Sequence, residues 1–367
     1  MSTDGQSKPL IAALHFGDTI SKLDHLIPLC DLFNAPILLD SSFSYELATR
    51  YYPPTQLVLV NHEEYLSYLA NFHLFFVSDK FTSPTLQNVY NVIYNKNLCF
   101  FYCPHGNSDK GFINKTMNQL DFHNLSLIYG EQMRQRIYNM ELYSQIKALV
   151  TMGNLRKRFY QKYHHFFTNI IRNSLDLPRK SRYTFLYAPS WQDEENSTSF
   201  FTICKYLIEH IPSSDHLIIK IHPLLLTYHL GYVTHICEKY KYKKNVQFIQ
   251  DNPLIYPLLE HIDIYLGDVS SVGYDFLFFN RPMFFFDTRI SPPSESKTLF
   301  QCGIEVPPHY FKNAYFFIFS RLEENRKKST LRKEIYNFVF AADPMDHELK
   351  QNIVHAYHSV NMDKKIS

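Results

Sequence analysis

Four short polar turns hold the residues of this chain that could do chemistry: His105-Gly106, Ser190-Trp191, Lys220-Ile221-His222-Pro223 and Asp268-Val269-Ser270-Ser271. Each follows a short apolar run of the β-branched and aromatic kind that makes buried strands. An imidazole titrates near neutrality, so His105 and His222 can accept a proton from a hydroxyl or carry charge against a phosphate. Two such histidines, each followed by Gly or Pro and backed by Lys220, say more than one alone. The turn Asp268–Ser271 offers an acid and two hydroxyls, then enters a helical pattern holding Tyr274, Phe276 and Leu277. The first N–H groups of a helix lack internal partners and sit at the positive end of its dipole. A phosphate can rest there, with Ser270 and Ser271 adding donors. The plainer reading is that Asp268, Ser270 and Ser271 only cap the helix.

The elements that present these turns show clearly in Val246–Asp287. Three strand-like runs lie there: Val246–Ile249, Asp263–Leu266 and Pro282–Phe286. Asn252-Pro253 reads as the cap and first residue of a helix carrying Leu254, Leu258, Leu259 and Ile262. Upstream, strands are expected at Leu10–Phe16, Pro36–Leu39, Gln56–Val60, His73–Val77, Leu98–Tyr102, Leu125–Tyr129, Lys147–Met152, Tyr183–Tyr187 and His216–Ile221, with helical patterns between most of them. Such alternation predicts parallel sheets with helices on both faces, which bind ligands beyond the carboxyl ends of their strands.

The expected architecture is therefore α/β, with two Rossmann-like domains facing a cleft. Residues 1–174 form the first and 183–340 the second, joined by a linker at 175–182 and followed by a helical tail at 341–367. The helices of Tyr315–Val360 are expected to pack across both halves. No period of 20–50 residues repeats, which excludes a solenoid.

Composition narrows the class. Lys and Arg total 37 against 35 Asp and Glu, so charge argues neither for nor against an acidic partner, and no nucleic acid is expected as one. Aromatic residues make up 16%, and no apolar run is long enough to span a bilayer. Met1–Lys8 reads as a polar tail. The six cysteines are scattered, as reduced core thiols of a cytoplasmic protein are. Arg156–Ser174 reads as one basic, aromatic helix: either a solvated face or a contact with a membrane surface or acidic acceptor.

Several chemistries are missing. There is no GxGxxG after the first strand, no GxxxxGK[ST], no HExxH, no paired CxxC and no GxSxG. No zinc and no cofactor is expected. The lack of Asp-x-Asp at a strand end argues against a metal-held sugar nucleotide.

Taken in order, the polar turns resemble the CDP-glycerol glycerophosphotransferases, the teichoic-acid polymerase and primase family, whose fold is of the two-domain GT-B type. The resemblance spans about residues 98–290. It rests on His105-Gly106 with Lys110, Gly153-Asn154-Leu155-Arg156, Leu186-Tyr187-Ala188-Pro189-Ser190-Trp191, Lys220-Ile221-His222-Pro223, and Asp263 through Ser271 with Arg281-Pro282. Leu155 stands where the family has Pro, Gln192 where it has Arg, and Gly267-Asp268-Val269 where it has Thr-Asp-Tyr.

The resemblance implies that His105 is the base on the acceptor hydroxyl and that His222 is a second catalytic residue. Lys220 and His222 would face the donor pyrophosphate, Ser270 and Ser271 would hold phosphate oxygens, and Asp268 would orient that turn. Ser190 and Trp191 would line the nucleotide side, with Gly106, Lys110 and Arg156 as acceptor or phosphate contacts. Attack at phosphorus would release CMP, positive groups rather than a metal neutralising the charge. The implied partners are a nucleotide-activated donor such as CDP-glycerol and a lipid-linked or polymer acceptor. The implied location is the cytoplasm, peripheral on the inner face of the cell membrane through Arg156–Ser174. Two other readings stand beside this one: a GT-B glycosyltransferase using a UDP- or CMP-sugar, and a catalytically inactive binding protein, which Gln192 and Val269 motivate.

Overall fold

The computed structural model describes residues 9–61, 63–79, 84–110, 125–139, 146–175, 181–250, 252–268, 270–289 and 298–363, less the side chains of 84–87 and 361–363. The polar tail Met1–Lys8, residues 176–180 of the expected linker, and Val269 lie outside this set. The chain forms two compact units. One comprises Met1–His105, Asn114–Tyr163 and Phe340–Ser367; the other comprises Gly106–Ile113 and His164–Val339.

The first unit is built on seven parallel strands: β1 (Ile11–His15), β2 (Ile37–Leu39), β3 (Leu57–Leu59), β4 (Leu74–Val77), β5 (Cys99–Tyr102), β6 (Leu125–Ile128) and β7 (Ala148–Thr151). Their order is β3-β2-β1-β4-β5-β6-β7. β4 and β5 are buried at every residue, which is why their sequences, LFFV and CFFY, are apolar without alternation. Phe75 stacks on Phe100 across this pair at 5.4 Å between centroids. Fully burying each such ring is worth about 1.5–3 kcal/mol.

The second unit has six parallel strands: β8 (Thr184–Ala188), β9 (His216–Lys220), β10 (Val246–Ile249), β11 (Ile264–Gly267), β12 (Met283–Phe285) and β13 (Ile304–Glu305). Their order is β10-β9-β8-β11-β12-β13. Both sheets are doubly wound. In each, the chain fills one side of its first strand and then crosses to the other, so a switch point lies between β1 and β4 and another between β8 and β11.

Several expectations change. The sequence 156–174 is not one helix. Leu155–Lys162 ends at Tyr163, whose hydroxyl donates to Asp31 at 2.6 Å, and His164–Ser174 begins anew in the second unit, where His164 meets Glu260 at 3.1 Å. The division between units thus falls at Tyr163 and His164 rather than at 175–182. Asn252 does not cap the following helix. Its side chain accepts from the Leu254 N–H at 2.9 Å in a local turn, and the helix starts at Tyr256, with Pro257 in its first turn. The C-terminal helices divide between the units: Ala314–Ser320 and Leu322–Arg326 belong to the second, Asp346–Asp363 to the first.

Within the second unit, Arg332 is 1% exposed. It donates to the Asn280 side chain at 2.8 Å and to the carbonyls of Asn325 and Cys302 at 2.9 and 3.2 Å. Asn325 in turn accepts from the Met283 N–H at 3.2 Å. Arg332 and Asn325 together tie the helices Leu322–Arg326 and Ser329–Phe340 to β12 and to the turns before β12 and β13. All six cysteines are free thiols, five of them buried.

Candidate functional site

The switch point of the second unit is held by one carboxylate. Asp268, directly after β11, is fully buried. It accepts from the Ser190 N–H at 2.9 Å, just beyond β8, from the Ser199 N–H at 3.0 Å, and from the Ser199 hydroxyl. Burial pushes its pKa up to about 7, against the pull of these donors and of Lys110. Ser190 is 2% exposed. Asp268, expected to orient its turn, and Ser190, expected to line the nucleotide side, are both enclosed by protein; they fix the two strand-end turns relative to each other.

Lys110 completes the cluster. Its ammonium donates to the Ser190 hydroxyl, pairs with Asp193 at 2.6 Å and lies 5.8 Å from the centre of the Trp191 ring. Asp193 also accepts from the N–H groups of Glu195 and Ser197 at 3.0 Å and from the Ser197 hydroxyl. Burial lowers the Lys110 pKa while Asp193 opposes that shift. Burial alone would raise the Asp193 carboxyl, but Lys110 and Ser197 bring it below the usual carboxylate range. Half-buried Trp191 packs beside Tyr228, the ring centres 6.3 Å apart.

The segment Gly106–Lys110 belongs to this unit and is pinned at three places. Gly106 has φ +137°, and a Cβ there would meet the Ser271 Cβ at 2.7 Å, so only glycine fits. Asp109 accepts from the Tyr274 hydroxyl and from the Leu299 N–H at 2.7 Å. Lys110 is the third anchor.

His222 heads the helix Pro223–Tyr240, its Nδ1 accepting from the Leu224 N–H at 3.2 Å. That bond places the ring proton on Nε2. Burial, with Lys110 and Lys220 nearby, pushes its pKa down to about 3. His222 is thus a neutral Nε2–H donor at ordinary pH, not the positive charge its sequence context suggested. Lys220 donates to the Asn252 carbonyl at 2.5 Å. Ser270 caps the helix Ser271–Phe276 through the Val272 N–H at 3.4 Å, which is the plainer reading of that serine. Ser271 is half-buried, and its hydroxyl has no partner among the described residues.

In the first unit, His105 follows β5 and is exposed. Desolvation by the atoms around the ring and then the Lys22 ammonium lower its pKa, against Asp79 and the Ser78 backbone. An unprotonated, solvent-reachable imidazole suits a base. The carbonyl of Pro104, just before it, accepts from the Tyr129 hydroxyl at 2.6 Å, and the Tyr129 hydroxyl oxygen lies 2.9 Å from His25 Nδ1.

Arg156 is engaged within the first unit. It is buried and pairs with Asp24 at 3.1 Å. Lys157, Arg158 and Lys162 pair with Asp343, Asp346 and Asp31. The positive charge that suggested a membrane-surface contact is compensated inside the unit. No helix among the described residues is long and apolar enough to cross a membrane.

Sequence reasoning missed Asp193 and Ser199. The run Ser197-Thr198-Ser199 before an apolar helix was a readable signal. Asp193 gave none, standing in an acidic run that looks solvated.

Residues 106–330 match the profile of the family described as CDP-glycerol:poly(glycerophosphate) glycerophosphotransferase. No curated protein sequence matches. Among solved structures, the wall teichoic acid polymerase TagF is similar at TM-score 0.64 and 13% identity, covering 97% of this chain and 90% of that one. A glycosyltransferase from Rickettsia africae gives 0.56 and 11%, covering 97% and 99%. Anabaena HepE, solved with UDP-glucose, gives 0.55 and 12%, covering 96% and 100%. At such identities these likenesses establish the GT-B type of fold.

Proposed function

The chain belongs to the CDP-glycerol:poly(glycerophosphate) glycerophosphotransferase family, and from that premise we propose that it moves a glycerophosphate or related polyol-phosphate from a CDP-linked donor to a hydroxyl of an envelope polymer. The second unit takes the donor. Ser271 and the neutral Nε2–H of His222 donate to its phosphate oxygens, with the Lys110 and Lys220 ammonium groups behind them. His105 removes the proton of the attacking hydroxyl, and the bond from phosphorus to the CMP oxygen breaks as the new one forms.

The observation that carries this reading is the gathering of Lys110, Ser190 and Asp268 at the second switch point, with His222 beyond the end of the neighbouring β9, all inside the matched span. We place the protein in the cytoplasm on the same reading, its acceptor reaching it from the membrane.

A thermal-shift panel of CMP, UMP, CDP-glycerol and UDP-sugars tests it. CMP and CDP-glycerol raise the melting temperature of the intact protein, and CMP is released on turnover. In His105→Ala and His222→Ala, transfer falls by about 10²–10⁴-fold with little change in melting temperature. Release of UDP and never CMP would assign a sugar transferase, a reading the HepE structure with UDP-glucose favours. Silence towards every nucleotide would assign a binding protein.

A further inference from the structure

Three helices of the first unit line a cavity of about 280 Å³ that the proposed transfer does not use. They are Leu23–Phe33, Leu155–Lys162 and the start of Asp346–Asp363. Helical spacing sorts its walls. Pro28 and Leu32, four residues apart, join Leu155 and Phe159, also four apart, and all four are buried. Arg158 and Lys162, at the same spacing, line it with Asp346 and Asp31, their ion-pair partners. The cavity thus has an apolar half and a charged rim. Hydrogen bonds at the rim are unevenly used. Asp31 accepts from Lys162 at 2.8 and 3.0 Å and from the Tyr163 hydroxyl at 2.6 Å. Arg158 donates through Nη1, to the Pro344 carbonyl at 2.5 Å and to Asp346 at 2.8 Å. Its Nε and Nη2 are buried and have no partner among the described residues. Those two nitrogens form one edge of the guanidinium, a fork that matches both oxygens of a carboxylate.

We propose that this cavity binds a small amphipathic monocarboxylate, its carboxylate on the free fork of Arg158 and its apolar body on Pro28, Leu32, Leu155 and Phe159. Three features support that class. The buried bonding capacity left at the rim belongs to a donor, so the head group must accept. Asp31 and Asp346 share the rim, which tolerates one negative charge on the ligand and opposes the two of a phosphate monoester. The volume falls just under the roughly 300–1,000 Å³ of drug-sized clefts, so the apolar body is short. A guanidinium edge buried without acceptors is unfavourable. A carboxylate relieves it once the side chain swings that edge into the cavity, with Asp346, 66% exposed, free to follow. None of these residues takes part in the proposed transfer, and the binding stands whether or not that transfer occurs.

The test is calorimetric titration of the full chain with hexanoate, with 1-hexanol as the neutral counterpart and hexyl phosphate as the doubly charged one. Hexanoate binds one to one, and each of the other two binds about tenfold more weakly or worse. Two variants address the two halves of the site. Arg158→Lys keeps the charge and a donor for the Pro344 carbonyl but loses the fork, and it weakens hexanoate about tenfold. Leu32→Phe fills the apolar half and removes binding. Melting temperatures establish that each variant is folded, and if one is not, the other and the three probes decide. Absence of hexanoate binding overturns the proposal. So does hexanol or hexyl phosphate binding as tightly, or full hexanoate affinity in either folded variant.

Discussion

The two switch points are built alike and finished differently. Each lies where a parallel sheet reverses its strand order, between β1 and β4 in one unit and between β8 and β11 in the other. In the second unit the buried titratable group, Asp268, has protein donors on both carboxylate oxygens. In the first, the buried group, His15, has none on either nitrogen among the described residues. A saturated hub fixes the shape of neighbouring turns, while an unsaturated one leaves bonding capacity for something else. Geometry shared by a fold therefore does not assign the task of its ligand end; the account of hydrogen bonds there does.

The largest test of this contrast is Asp193→Ala. It leaves the Lys110 ammonium buried without its carboxylate and is expected to cost about 3–5 kcal/mol in urea denaturation. Replacing both partners by apolar residues of similar size should recover most of the loss. A small effect of the single change would show that the second hub is less closed than it looks.

The pH dependence of stability separates the two hubs by sign. His15 resists protonation when folded, so between the ordinary histidine value and about 4 the unfolded chain binds more protons. Stability falls there by about 1.4 kcal/mol per pH unit as pH drops, and His15→Gln removes that slope. Asp268, raised to about 7, works the other way: it adds stability as pH falls from about 7 towards the ordinary aspartate range, and Asp268→Asn removes the gain. Denaturation curves across this window in both variants check the signs. Gly106→Ala should cost about 1–3 kcal/mol through its φ and its approach to Ser271. The smallest effect belongs to Asp79→Asn: removal of a partly exposed ion pair, about 0–1 kcal/mol.

Much of the fold was legible from residue pattern. Twelve strands were expected and found, most of them buried parallel strands written as apolar runs. The thirteenth, Ile304–Glu305, is two residues long and too short to have a period. The boundary between units was missed because Arg156–Ser174 keeps a helical pattern across Tyr163, where the break depends on partners far along the chain, Asp31 and Glu260. The site was legible as turns but not as roles. His222, Ser190 and Asp268 stood where expected, yet neutrality and burial set what each can do, and neither is written locally. His15 escaped notice because it ends an apolar run and looks like part of a strand.

The buried guanidinium of Arg332 bears on how the protein can be cut. It stands two residues beyond the segment shared with the family, and His105 stands one residue before that segment. A fragment trimmed to the shared segment would lose His105, the proposed base, at its front. At its back it would open the Asn280, Cys302 and Asn325 sites to water. Ancestry here is recorded over a shorter stretch than the one that must be made in a single piece.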